Sequence, residues 1–313
     1  MKNHPARLEP GKGKYMLYFI LNERAVFQMS KLLFYFFTVT AMIFTAVSQA
    51  AAQTQTLGTD IYGYLSYYPD ESGKFDRIGW YTIKSDGAIS PCWLTPEDEL
   101  GIGFIADGKL YTYNEFSLGG ESLGLTFKLL DINTGYAEKT IQIDNKLGFY
   151  GFDSMCYVPD EDAAFGYART DSYAPGMGCE QAFCRIDIAN PGTIKIIKKV
   201  NSSIDRCISL AYNPDDGKIY GITRFGTFVT VSPDGTQTVI KDLKLLDGSN
   251  PSGLSAGLIY DSTKHLFIWN ALEKGSSRDS YTASYLYTFN SSALEMARVC
   301  TFSGNERFSF FAV

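Results

Sequence analysis

Hydrophobic positions along this chain come in short, strand-length runs that end in Pro, Asp or Gly turns. Ser154-Met155-Cys156-Tyr157-Val158 runs into Pro159-Asp160, and Ser209-Leu210-Ala211-Tyr212-Asn213 runs into Pro214-Asp215-Asp216-Gly217. Gly257-Leu258-Ile259-Tyr260 before Asp261-Ser262 is a third copy. Pro fixes φ, Asp offers a side-chain hydrogen bond and Gly accepts positive φ, so each break predicts a tight hairpin turn. The runs are apolar on both faces, which predicts strands packed between two neighbouring layers. A second kind of run follows at once, as in Ile61-Tyr62-Gly63-Tyr64, Leu110-Tyr111-Thr112-Tyr113 and Ile219-Tyr220-Gly221-Ile222. A third alternates, as in Trp80-Tyr81-Thr82-Ile83 before Asp86-Gly87 and Phe228-Val229-Thr230-Val231 before Pro233-Asp234-Gly235. The fourth is rich in Thr, Lys and β-branched residues, as in Thr193-Ile194-Lys195-Ile196 and Thr238-Val239-Ile240-Lys241. Its polar alternation fits a solvent-facing edge, where Lys discourages strand addition.

The four kinds of run recur in order, five times, with a period of about fifty residues. Asp107-Gly108-Lys109-Leu110-Tyr111 and Asp216-Gly217-Lys218-Ile219-Tyr220 stand 109 positions apart, two periods. Strand-rich repeats of that length predict an all-β fold, a β-propeller of about five four-stranded blades. The first unit begins with a second-type run at Ile61, and Arg307 to Val313 reads as a first-type run without a blade. Closure of the ring by that C-terminal strand accounts for both. A chain cut before a further blade or module is the other reading.

Targeting comes next. Met29-Ser30-Lys31 opens a basic segment, Leu32 to Val47 is apolar, and Ala50-Ala51-Ala52 precedes Gln53. This is the layout of a secretory signal peptide, with Met29 the expected start and residues 1–28 an upstream extension. The apolar stretch is short for a bilayer span, and no Cys at the cleavage site points to a lipid anchor. The expectation is a secreted, periplasmic or cell-surface protein whose single domain covers residues 53–313, with no transmembrane anchor after cleavage. Residues 1–52 hold six basic and two acidic side chains, leaving 22 Lys and Arg against 32 Asp and Glu, a net charge of −10. Such a surface repels phosphate backbones and argues against nucleic acid as a partner. Of six Cys residues, Cys156 and Cys207 read as buried thiols, and Cys179 with Cys184, flanking one loop, as the single pair worth considering for a disulfide.

Tyr212-Asn213-Pro214-Asp215-Asp216-Gly217-Lys218-Ile219-Tyr220-Gly221 resembles the blade motif of quinoprotein-like and YVTN-type exported bacterial β-propellers. The likeness spans most of Asp60 to Val313 and implies the fold rather than a ligand. Such propellers are often followed by immunoglobulin-like or fibronectin-like modules, which leaves open a missing C-terminal module.

The chemistry is sparse. After residue 52 the only His is His265, in a turn, so a Ser-His-Asp triad would rest on that residue alone. Multi-His and Cys-rich metal spacings are missing, and Glu97-Asp98-Glu99 and Asp160-Glu161-Asp162 lack the order of a calcium loop. No metal, cofactor or catalytic residue is assigned. A glycosidase needs two acids at a set separation. Asp153 is the clearest acid near a first-type run, but the equivalent positions hold Ile208 and Ala256.

Connections carry more. Second-to-third runs are joined by long segments in four units (Tyr68 to Arg77, Glu115 to Leu125, Asp171 to Gln181 and Leu272 to Ala283), all on one face together with the blade-to-blade connectors. The opposite face has minimal turns. Long loops on a rigid scaffold are where binding sits. The candidate ligand-binding residues are Tyr68, Asp76, Phe116, Asp153, Tyr173, Asp205, Arg206, Arg278 and Tyr281. The leading expectation is a noncatalytic module that binds a glycan or protein through the long-loop face. The alternative is a carbohydrate hydrolase or lyase using acids or Tyr at a central channel.

Overall fold

The structure, a computed structural model, describes residues 57–67, 79–93, 102–118, 121–144, 149–170, 180–200, 206–253, 255–275, 281–302 and 306–312. The signal segment lies outside them. The described residues form five four-stranded antiparallel sheets arranged as a β-propeller. Blade 1 holds β1 (Ile61–Tyr67), β2 (Gly79–Ile83) and β3 (Ile89–Trp93); blade 2 holds β4 (Ile102–Ala106), β5 (Lys109–Leu118), β6 (Glu121–Asp131) and β7 (Ala137–Asp144). Blade 3 is β8 (Phe149–Val158), β9 (Ala163–Thr170), β10 (Glu180–Asp187) and β11 (Ile194–Val200). Blade 4 is β12 (Cys207–Asn213), β13 (Lys218–Thr223), β14 (Thr227–Val231) and β15 (Gln237–Asp242). Blade 5 is β16 (Ala256–Asp261), β17 (Leu266–Lys274), β18 (Tyr281–Phe289) and β19 (Ala297–Phe302), and β20 (Arg307–Ala312) returns to blade 1.

Closure is as the sequence predicts. β20 pairs with β1 through Tyr62↔Ala312, Gly63↔Phe311 and Tyr64↔Phe310. The innermost strands pack in a ring, β4 on β8, β8 on β12, β12 on β16, β16 on β20 and β20 on β4. No innermost edge is then left open, which removes the main aggregation hazard of an open sheet array. Phe308 is fully buried, and its backbone N–H donates to Asn270 Oδ1 at 2.8 Å, tying the closing strand to blade 5. Its ring also demands glycine on β1: a Cβ at Gly63 would lie 2.6 Å from Phe308 Cδ1.

The core lies between blades, which explains runs that are apolar on both faces. Tyr220 and Phe228 of blade 4 meet Phe267 of blade 5 at ring-centroid distances of 4.9 and 5.3 Å. Tyr113 of blade 2 meets Phe152 of blade 3 at 5.4 Å. Each such ring contributes about 2–3 kcal/mol by leaving water. The outermost β15 is exposed along nearly its whole length.

In blades 3, 4 and 5 the turns between first and second strands follow one scheme. Val158↔Ala163, Asn213↔Lys218 and Asp261↔Leu266 each bracket four residues, and the last of each four, Asp162, Gly217 or His265, has φ of 45°, 67° or 56°. The left-handed region suits Gly, and among other residues Asp, Asn and His adopt it most readily.

Two expectations are corrected. Glu115 to Leu125 is mostly paired strand rather than a long loop, since β5 and β6 stay paired out to Leu118↔Glu121. β17 and β18 likewise pair out to Lys274↔Tyr281. Cys184 is a buried free thiol inside β10, its Sγ donating to the Ala182 carbonyl at 3.4 Å, and it forms no disulfide. β10 begins at Glu180, so position 184 is strand interior and not a loop flank. Cys156 and Cys207 are buried, as expected.

Candidate functional site

β4, β8, β12 and β16 each start on the long-loop face and end at a short turn. At the long-loop side of blades 3 and 4 a polar cluster forms around Asp153, in the middle of β8. Arg206, immediately before β12, donates from Nε to Asp153 Oδ2 at 2.9 Å and from Nη2 to Oδ1 at 3.0 Å. Gln181 at the start of β10 donates from Nε2 to Asp153 Oδ2 and, at 3.0 Å, to the Cys207 carbonyl. Arg169 Nε, near the end of β9, stands 3.6 Å from Asp153 Oδ1. The Asp153 and Arg206 side chains are only 14% and 15% exposed. Bidentate, charge-assisted pairs of this kind are among the stronger polar contacts in proteins. Gln181 Oε1, Ser154 Oγ and Ser209 Oγ are buried beside these residues in the chain and have no partner among the described groups.

Adjoining the cluster is a groove between blades 4 and 5. The Arg206 carbonyl accepts from the Arg224 amide at 2.9 Å, which joins the two features through the β13 end. The groove is lined by the Arg224-Phe225 turn, Thr227 and Asp242, by Lys244, Asn250, Pro251 and Gly253 of the connector, and by Lys274 at the end of β17. Gly226, at φ 82°, lets the turn lie against Pro251, where a Cβ would stand 2.6 Å from Cγ.

The opposite face spends its polar groups on itself. Tyr157, Tyr212 and Tyr260 close the innermost strands there and donate to Asp162, Asp160 and Asp215. Burial, then the bonded carboxylate, pushes each of these hydroxyls up from its ordinary value. Tyr220, bonded to Asp216 at 2.6 Å, is pushed up to about 12 by burial and that carboxylate. Asp215 is held below the usual carboxylate range by the Tyr260 hydroxyl and by His265, whose Nδ1 stands 2.6 Å away. His265 is 70% exposed, a surface turn residue. Behind this Tyr ring the channel holds an apolar cavity of about 230 Å3, lined by residues of all five innermost strands such as Phe104, Met155, Leu210, Leu258 and Phe311. Among the described residues no three His, Cys, Asp or Glu side chains converge as a metal site, and no helix is long and apolar enough to cross a membrane.

Of the sequence candidates, the structure brings Asp153 and Arg206 into direct contact. Phe116 and Tyr281 fall on the extended ends of β5 and β18. Tyr68, Asp76, Tyr173, Asp205 and Arg278 lie outside the described residues. The sequence reading missed Arg169, Gln181, Arg224, Phe225, Lys244 and Lys274. It looked to long connections, whereas Arg224-Phe225-Gly226 is a short second-to-third turn. An aromatic beside a cation in that turn was the available signal.

No family model and no curated protein matches the chain. Among solved structures it is similar to a structural genomics protein of unknown function from Bacteroides thetaiotaomicron VPI-5482, at 12% identity and a TM-score of 0.51. The match covers 82% of this chain and 68% of that one. A protein named "putative oxidoreductase (glucose dehydrogenase)" from Thermus thermophilus matches at 13% identity and a TM-score of 0.37, over 60% of this chain and 61% of that one. At such identities the first likeness carries the fold alone, and the second is too distant to carry an argument. The class is therefore a five-bladed β-propeller.

Proposed function

We propose that this protein is an exported, noncatalytic β-propeller that binds a glycan or a protein through its long-loop face. The observation that carries the reading is the state of Asp153. Its oxygens are engaged by Arg206, Gln181 and Arg169, so it serves as an anchor for the surrounding side chains. A glycosidase acid must instead hand a proton to a leaving group, with a second carboxylate at the right distance. A lyase-type Tyr base is poorly served as well, because the channel tyrosines donate to carboxylates and are pushed up, away from the phenolate. What remains on the long-loop face is a rigid polar platform beside a groove, suited to recognition.

A glycan array run beside a panel of hydrolase and lyase substrates tests this on the full chain expressed in a secreting host. Retention of a ligand without turnover is the expected result. Turnover of any carbohydrate substrate that Asp153→Asn abolishes would overturn it.

A further inference from the structure

We infer that the groove between blades 4 and 5 is a subsite for an acidic sugar, a pyranose that carries a carboxylate. The inference rests on the binding role proposed above and adds the chemical class of the ligand. Its volume is about 440 Å3, within the span of roughly 300–1,000 Å3 usual for small-molecule sites. Three cationic side chains, Arg224, Lys244 and Lys274, line it against one acid, Asp242. The whole chain has a formal net charge of −6, so this local excess of positive charge runs against the rest of the molecule and complements an anion. Asp242 is itself occupied in part, accepting from Thr227 Oγ1 at 2.7 Å.

Charge alone would suit any anion; the ring beside it narrows the class. Phe225 is 46% exposed at the tip of a turn held on both sides. The Leu243 amide donates to the Gly226 carbonyl at 2.8 Å, and Gly226 abuts Pro251. Across the groove, the Ser252 amide donates to the Leu272 carbonyl at 2.8 Å, fixing the connector to β17. Both walls are thus ordered before a ligand arrives, which lowers the entropic cost of binding. A fixed, exposed aromatic face stacks on the C–H face of a pyranose. Lys244 Nζ donates to Asn250 Oδ1, which holds the ammonium at the groove wall with hydrogens to spare. The Asn250 amide nitrogen and Thr227 offer neutral partners for the sugar hydroxyls, and the lysines and Arg224 meet its carboxylate. A phosphate or a simple carboxylate would leave Phe225 without a role.

Calorimetric titration of the full chain with tri-galacturonate and with its methyl ester separates charge from shape. The acid form is expected to bind about tenfold or more tightly than the ester, since the ester keeps the ring and loses the charge-assisted bonds. Its affinity should fall as salt is raised. Lys244→Ala and Lys274→Ala, both at exposed positions, should each weaken the acid form severalfold and leave thermal melting unchanged. Phe225→Ala should weaken acid and ester alike. Equal affinities for the two forms, indifference to both lysine changes, or no binding of either form would overturn the subsite. If another glycan or a protein binds and the lysine changes leave it unaffected, the acidic-sugar inference fails while the binding role stands. If tri-galacturonate is cleaved and the lysine changes raise KM, the noncatalytic reading fails while the subsite stands.

Discussion

The two faces of this propeller use the same strands and spend polar chemistry in opposite ways. On the short-turn face, carboxylates are absorbed by local structure: Asp131, Asp216, Asp234 and Asp261 accept from amides of their own turns. Asp160, Asp162 and Asp215 hold tyrosine hydroxyls. On the long-loop face, Asp153 holds side chains from neighbouring strands and blades, and cations gather beside an exposed ring. Short turns need Asp, Gly and Pro to form at all, which leaves little freedom for recognition. Connections that only bridge strands across a rigid frame carry no such demand, and function concentrates there.

The contrast depends on the frame, and the largest expected effect strikes both faces together. Phe308→Ala removes a fully buried ring from the closing strand and should cost about 3–5 kcal/mol in urea unfolding. A loss below about 1 kcal/mol would mean that β20 does not close the ring.

Asp153→Ala separates the faces. It leaves the largely buried Arg206 without its fork partner and should cost about 2 kcal/mol, less than a fully buried pair because both groups keep some contact with water. Lys109→Ala on the opposite face breaks an exposed pair with Glu138 and should leave the unfolding curve unmoved. Equal effects would erase the distinction between an anchoring pair and a surface pair.

Acid should act through the short-turn face. Burial alone would raise the Asp261 carboxyl, but bonds from the Thr263 hydroxyl and from the Gly58, Thr263 and Lys264 amides hold it below the usual range. Asp131 and Asp234 are held low chiefly by amides of their own turns. A depressed carboxyl contributes stability that is complete above its unfolded value, near 4, and is lost as pH falls through the folded value. Urea midpoints should therefore drop below about pH 4, and Asp261→Asn should flatten that slope. An unchanged slope in the variant would remove Asp261 from the account.

How much the sequence reveals follows the same division. Pro214-Asp215-Asp216-Gly217 and Asp107-Gly108 announce their turns, and the absent first strand at Ile61 announces ring closure, because local backbone chemistry and a count of strands suffice. Glu115 to Leu125 was misread as a long loop, because its polar and Gly residues mask the pairing of β5 with β6 out to Leu118↔Glu121. The site was half legible. Asp153 and Arg206 stand out as charges in or beside innermost strands, yet they are 53 residues apart and only the ring brings them into contact. Lys244 and Lys274 come from a blade connector and a strand end, and no spacing rule links them to Phe225. Where a site is assembled by packing of separate blades, its membership is a property of the tertiary structure.

The central claim is that the long-loop face carries the ligand. It is tested most directly by measuring affinity for the strongest ligand found on the glycan array across two sets of single substitutions. Tyr173→Ala, Tyr281→Ala and Phe225→Ala make up the long-loop set; Lys218→Ala and Asp234→Ala make up the short-turn set. The account predicts that at least one change in the first set weakens binding about tenfold, with stability altered by less than about 0.5 kcal/mol, and that both changes in the second set leave affinity unchanged. Loss of binding in Lys218→Ala or Asp234→Ala, with all three aromatic changes neutral, would contradict it.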